Sequence, residues 1–141
     1  MKLLNEKPST IKAELLDVGI ILGERPFVKE LFYNLEMLVI TLDPDVSGKI
    51  LRIIFDTVRG FRCLDEGDLT DFWADKFIQA NWLFEIMAGG WLDQEAQRSG
   101  FMSHVLGYRE FLICGVDDCV NVLASEPPKF EVEEVALNPE S

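Results

Sequence analysis

The chain has 141 residues, close to the commonest size for one domain, and 48% of them are hydrophobic, enough apolar material to bury a sizeable core. Thirteen lysines and arginines against twenty-five aspartates and glutamates leave a formal charge of −12, which disfavours nucleic-acid backbones and anionic membrane surfaces as partners. A single histidine, His104, excludes multi-histidine metal centres, and Cys63, Cys114 and Cys119, each among apolar neighbours, read as reduced buried thiols rather than a disulfide framework.

No apolar run approaches the roughly 18 residues expected of a spanning helix. Polar residues from Asn5 to Thr10 interrupt the apolar start of the chain, so a secretion signal is not expected and the reading is cytoplasmic. From Thr10 to Leu22 two patterns compete. Ile11, Ala13 and Leu15 alternate like a strand, whereas Ser9 could cap a helix ending at Gly19; the alternation favours a strand.

"NLEMLVITLD" (34–43) and "KILRIIFDTVR" (49–59) are rich in β-branched and large apolar residues with strand spacing, and predict two paired strands. Between them lies "PDVSG", where Pro44 presets a turn and Gly48 accepts positive φ. Asp43, Asp45, Ser47 and Gly48 also match the start of a calcium loop, but such a loop needs flanking helices and a carboxylate at its twelfth position, where this chain has Ile54. The hairpin reading is preferred, and no metal is expected.

The second strand is expected to run on through "GFRCL", bent at Gly60. Asp65 and Asp68 are N-cap candidates, and Leu69, Phe72, Trp73 and Phe77 fall at helical spacing, which predicts a short helix over 68–77. "WLFEIM" (82–87) reads as a strand with Trp82, Phe84 and Ile86 on one face, closed by "AGG". In "WLDQEAQRSG", Asp93 and Glu95 near the start, Arg98 near the end and Gly100 as the stop predict a second short helix. A second hairpin follows, Tyr108 to Gly115 and Asp118 to Ser125, around the tight "GVDD" turn. The last sixteen residues, 126–141, hold five glutamates and three prolines without a clear period and are expected to form a solvated, partly disordered tail.

Chemistry has few places to reside. The acids of "LDEGD", of the segment after Gly90, and of "VDD" are each where a turn or helix start would use a carboxylate anyway. "AGGW" is a weak anion nest, lacking the Lys and Ser/Thr partners of a phosphate loop. His104 reads as a core-edge histidine, and nucleophilic catalysis would need the fold to bring a thiol or hydroxyl beside it.

The order "KILRIIFDTVRGFRCLDEGDLTDFW", "WLFEIMAGGWLDQEAQRSGF", "YREFLICGVDDCVNVLASEPP" resembles a group of small bacterial proteins of uncharacterised function over about residues 35 to 130, and brings no catalytic residues with it. In size, charge and lack of catalytic groups the chain also resembles the immunity proteins encoded beside bacterial polymorphic and contact-dependent toxins, many of them α+β domains that cover a toxin's active site. That resemblance implies a basic protein partner, which a strongly acidic surface would attract at long range.

The expectation is therefore a single α+β domain over residues 1–125, an antiparallel sheet of about five to seven strands with two short helices at its side or end, followed by the acidic tail over 126–141. The expected function is a cofactor-free, non-enzymatic binding role. Its candidate contact residues are Asp65, Glu66, Asp68, Asp93, Glu95, Asp117 and Asp118, with Trp91 as the apolar anchor. Two other classes stay open: a small enzyme using carboxylates or His104 in a pocket, and a structural subunit of a homo-oligomer, in the simplest case a homodimer.

Overall fold

Alternation of β-branched and aromatic residues with polar ones runs through most of the chain, and the architecture follows from it. A computed structural model describes residues 11–17, 19, 22, 24–46, 48–69, 72 and 76–135. Its elements are β1 (Lys12–Leu15), β2 (Phe27–Tyr33), β3 (Leu38–Asp43), β4 (Lys49–Phe55), β5 (Val58–Asp65), a 3-10 turn (Glu66–Asp68), α1 (Lys76–Gln79), β6 (Leu83–Ala88), α2 (Trp91–Glu95), β7 (Arg109–Cys114), β8 (Asp118–Ala124) and β9 (Lys129–Glu134).

The strands form two antiparallel sheets, a five-stranded one in the order β1-β6-β7-β8-β5 and a four-stranded one in the order β2-β3-β4-β9. In the four-stranded sheet Leu38, Ile40 and Leu42 of β3 stand beside Phe55, Ile53 and Leu51 of β4, and all six are buried. This inner face meets the five-stranded sheet. Phe55 lies 5.4 Å from Phe111 of β7, and Tyr33 of β2 makes an edge contact with Phe61 of β5 at 5.1 Å.

The five-stranded sheet is covered on its other face as well. Phe84, which pairs with Leu112, receives Phe77 of α1 edge-on at 5.6 Å, and α2 packs on β7. Three layers result, with the five-stranded sheet in the middle. No helix of the described residues is long and apolar enough to cross a membrane.

Mostly antiparallel sheet with two short helices was expected, and so it is. The single sheet of five to seven strands was not correct: the described residues hold nine strands in two sheets. Three local features account for the difference. β2 carries a bulge between Val28 and Glu30 that interrupts the two-residue period. The long strand expected from 49 onward is irregular at Gly60, where its pairing with β8 shifts register between Val58 and Gly60, but it is not continuous. It breaks at Asp56 and Thr57, the latter with φ +55°, so that β4 and β5 join different sheets. Within the expected tail, "KFEVEE" is a strand, β9, which adds to β4 with Phe130 opposite Ile53; its glutamates mark a sheet edge exposed to water.

The segment at 12–15 is a strand, as the alternation favoured. Of the helix expected over 68–77, the described residues show the end of the 3-10 turn at Asp68, helical backbone at Phe72 and the first residues of α1; residues 70, 71 and 73–75, Trp73 among them, lie outside the described residues, as do residues 1–10 and 136–141. In the 43–49 loop the Asp43 carboxylate accepts the Asp45 N–H at 2.8 Å, an Asx turn that folds the hairpin on itself, and Asp45 and Gly48 both take positive φ. Ser47 lies outside the described residues, among which no three His, Cys, Asp or Glu side chains gather to hold a metal.

Candidate binding surface

The eight candidate contact residues separate into two groups at opposite ends of the five-stranded sheet. At one end the β7–β8 turn meets the end of β5. Asp117 takes φ +72°, a left-handed conformation that a short acidic side chain tolerates, and its carbonyl accepts the Glu66 N–H at 2.8 Å. Asp65 caps the 3-10 turn by accepting the Gly67 N–H at 2.8 Å. Asp65 and Asp118 are direct cross-strand partners.

Two chain segments fifty residues apart in sequence thus bring Asp65, Glu66, Asp68, Asp117 and Asp118 to one place. All are exposed except Asp118, which is half-buried. Among the described residues no ion pair joins Asp65, Asp68, Asp117 or Asp118 to a cation. Arg25 lines a shallow depression with Glu66, and its guanidinium donates to the carbonyls of Ile78, Gln79 and Asn81 at the C-terminal end of α1, where a cation complements the helix dipole.

The second group, Trp91, Asp93 and Glu95, lies on α2, beside Gly60 and therefore about 17 Å along β5 from Asp65 at the usual rise per residue. These side chains are engaged within the molecule. Asp93 accepts the Gly89 N–H at 2.6 Å, and Glu95 accepts the Trp91 indole N–H at 3.2 Å and pairs with Arg98. The hydrogen bond from Arg98, with that from Trp91 behind it, holds the Glu95 carboxyl below its usual range. The Trp91 ring lies under the Arg62 guanidinium at 5.0 Å, so the expected anchor is half-buried and already stacked.

Beneath Trp91 is a polar network that sequence reading missed. Gly90 precedes α2 and offers no capping side chain. Glu110, from the adjacent β7, supplies the cap instead: it accepts the Leu92 N–H at 2.8 Å and the Asn121 side-chain amide at 2.9 Å, and Asn121 in turn accepts from Arg62 at 3.0 Å. Glu110 is 1% exposed, and burial pushes its carboxyl above the ordinary range against those hydrogen bonds. The residue before the helix must be small, because a Cβ at Gly90 would stand 2.6 Å from Ile86 and 2.7 Å from Glu110. The pair of glycines before a helix without a capping side chain was the available signal for a cap from elsewhere.

His104 is exposed rather than at the core edge, and stacks on Phe101 with ring centroids 5.6 Å apart. Its neighbour Ser103 is buried and accepts from Arg59 at 3.1 Å. Cys114 and Cys119 are buried as expected, but Cys63 is exposed on β5. Compared with known proteins, the chain matches no family model, and no curated protein or solved structure is significantly similar to it.

Proposed function

We propose that this chain is a non-enzymatic binding protein whose acidic end engages a basic protein partner, most concretely as an immunity protein that covers a toxin domain. The observation that carries the reading is the Asp65–Asp118 pair. Like charges directly opposite one another on neighbouring strands destabilise a sheet, and here three further acids crowd the same end. A surface that concentrates repulsion in this way gains from a cationic partner twice: the partner relieves the repulsion and is steered to the site, with association rates raised by about 10 to 1,000-fold at low salt. Strand pairing holds Asp65 and Asp118 in place, and the Asp65 cap and the bond from the Glu66 N–H to the Asp117 carbonyl fix the turns beside them, so little ordering cost falls on binding.

The direct test is titration calorimetry of the full chain against the protein encoded by the adjacent open reading frame, produced in an inactive form. Tight binding that weakens as salt rises, and weakens at least about tenfold on Asp65→Lys or Asp118→Lys, is expected. Binding that ignores both salt and charge reversal overturns the role of this surface. Absence of binding overturns the immunity reading.

A further inference from the structure

The β7–β8 hairpin closes where the Gly115 N–H donates to the Asp118 carbonyl at 2.9 Å. Hydrogen-bonded and non-hydrogen-bonded pairs alternate along an antiparallel ladder, so the next pair, Cys114 with Cys119, is non-hydrogen-bonded. An independent contact agrees: the Cys114 N–H turns away from β8 and donates to the Trp82 carbonyl at 2.6 Å. Side chains of non-hydrogen-bonded pairs stand closest across a ladder, with Cα atoms about 4.5 Å apart, inside the span of about 4.4–6.8 Å that a disulfide bridges.

We propose that Cys114 and Cys119 are a modification site, a dithiol that closes to a cross-strand disulfide in the presence of a small-molecule disulfide oxidant and reopens under thiol reductant. The site is independent of the acidic-surface reading. Cys63 is not part of it: it pairs with Val120, whose side chain projects to the opposite face of the sheet from that of Cys119.

Side by side across the ladder, the two thiols sit in different surroundings, which assigns their roles. Donation from the Cys114 thiol, helped by the charge of Arg25, holds Cys119 below the usual thiol range despite burial. Burial first, and then the neighbouring Cys119 thiol, pushes Cys114 up. The Cys119 thiolate therefore attacks one sulfur of glutathione disulfide, forming a mixed disulfide and releasing one glutathione thiolate. The Cys114 sulfur next attacks Cys119 Sγ; the new S–S bond forms, the second glutathione leaves, and both cysteine protons end on glutathione. Two electrons pass from the cysteine pair to the oxidant.

Burial slows the approach of glutathione but does not alter the equilibrium. In the unfolded chain the ring between the two cysteines must first be closed at an entropic cost, which the folded hairpin has already met. The disulfide is therefore expected to be favoured in the folded chain over the unfolded one by about 10 to 100-fold.

The test uses the full chain carrying Cys63→Ser, equilibrated in graded glutathione redox buffers with and without denaturing urea, then alkylated and mapped by mass spectrometry. The expected result is a peptide spanning residues 110 to 129 that lacks two hydrogens and resists alkylation. It should appear at a more reducing poise in the folded chain than in urea, and be lost when dithiothreitol is added. Free thiols in the folded chain at a poise that oxidises the unfolded one overturn the proposal, as does a stable glutathione adduct. A second readout guards against misfolding of serine variants: wild-type chain, oxidised and then unfolded, should show one reactive thiol, and three reactive thiols refute the site.

Discussion

The β3–β4 and β7–β8 hairpins share residue chemistry and differ in what covers them. Along β3, and along β4 from Ile50 onward, buried positions alternate with half-buried ones, because only one face of the four-stranded sheet meets the core. β7 and β8 are buried at every position but the first, because the five-stranded sheet has a sheet on one side and helical segments on the other. The same polar residue therefore has different consequences in the two places. Arg52, on the outer face of β4, reaches Glu133 at the surface, whereas Glu110 and Asn121 must find every partner inside the protein.

The largest effects should test that difference directly. Phe111→Ala and Leu112→Ala alter adjacent residues on opposite faces of β7, and both should destabilise the chain, by about 3–5 and about 2–5 kcal/mol respectively, in urea denaturation. The equivalent neighbours in β4 should diverge: Ile53→Ala belongs to the same class, while Ile54→Ala on the outer face should cost less than about 1 kcal/mol. A Leu112→Ala cost as small as that of Ile54→Ala would break the claim that the middle sheet is covered twice.

Gly90→Ala probes the second cover. The added Cβ would press on Ile86 and Glu110, both buried, and should cost about 1–3 kcal/mol of stability, with loss of the α2 cap.

The pH dependence should separate Glu110 from Glu95. A carboxyl whose folded pKa is raised binds more protons in the folded chain than in the unfolded one. Its contribution to stability is therefore fully present below the unfolded value of about 4.3, and is lost as pH rises through the folded value. Relative to wild type, Glu110→Gln should gain stability as pH climbs through that window and change no further above it. Glu95 has the opposite sign: its folded pKa is lowered, so its contribution is present above the unfolded value and disappears as pH falls through the folded one. The deficit of Glu95→Gln should accordingly shrink in acid. Equilibrium unfolding at a series of pH values reads both.

The smallest effect belongs to the surface. Asp118→Asn removes one of two opposed charges and should stabilise the chain by about 0.2–1 kcal/mol at low salt, less at high salt. Stabilisation of the free protein together with weaker partner binding would tie the repulsion at this end to function.

Much of this arrangement was legible in the residues. Pro44 and Gly48 announced one turn and "GVDD" the other, and both hairpins are in register around them. The acids of "LDEGD" and "VDD" were visible as turn residues, but their meeting was not, since it depends on β5 pairing with β8 across about fifty residues of sequence. Trp91 looked like an anchor because nothing near it in sequence could show Arg62 lying over its ring. β2 and β9 were missed for local reasons, a bulge in one and a run of glutamates in the other, each of which obscures a two-residue period.

Sequence by itself determined the antiparallel hairpins, the positions of their turns and the surplus of carboxylates, because turn geometry and side-chain alternation are properties of a few consecutive residues. Tertiary structure alone decided that the strands divide into two sheets, that Glu110 caps a helix from a neighbouring strand, and that five acids converge. Alternation specifies which side chains share a face of a strand. What packs against that face depends on pairings between distant segments.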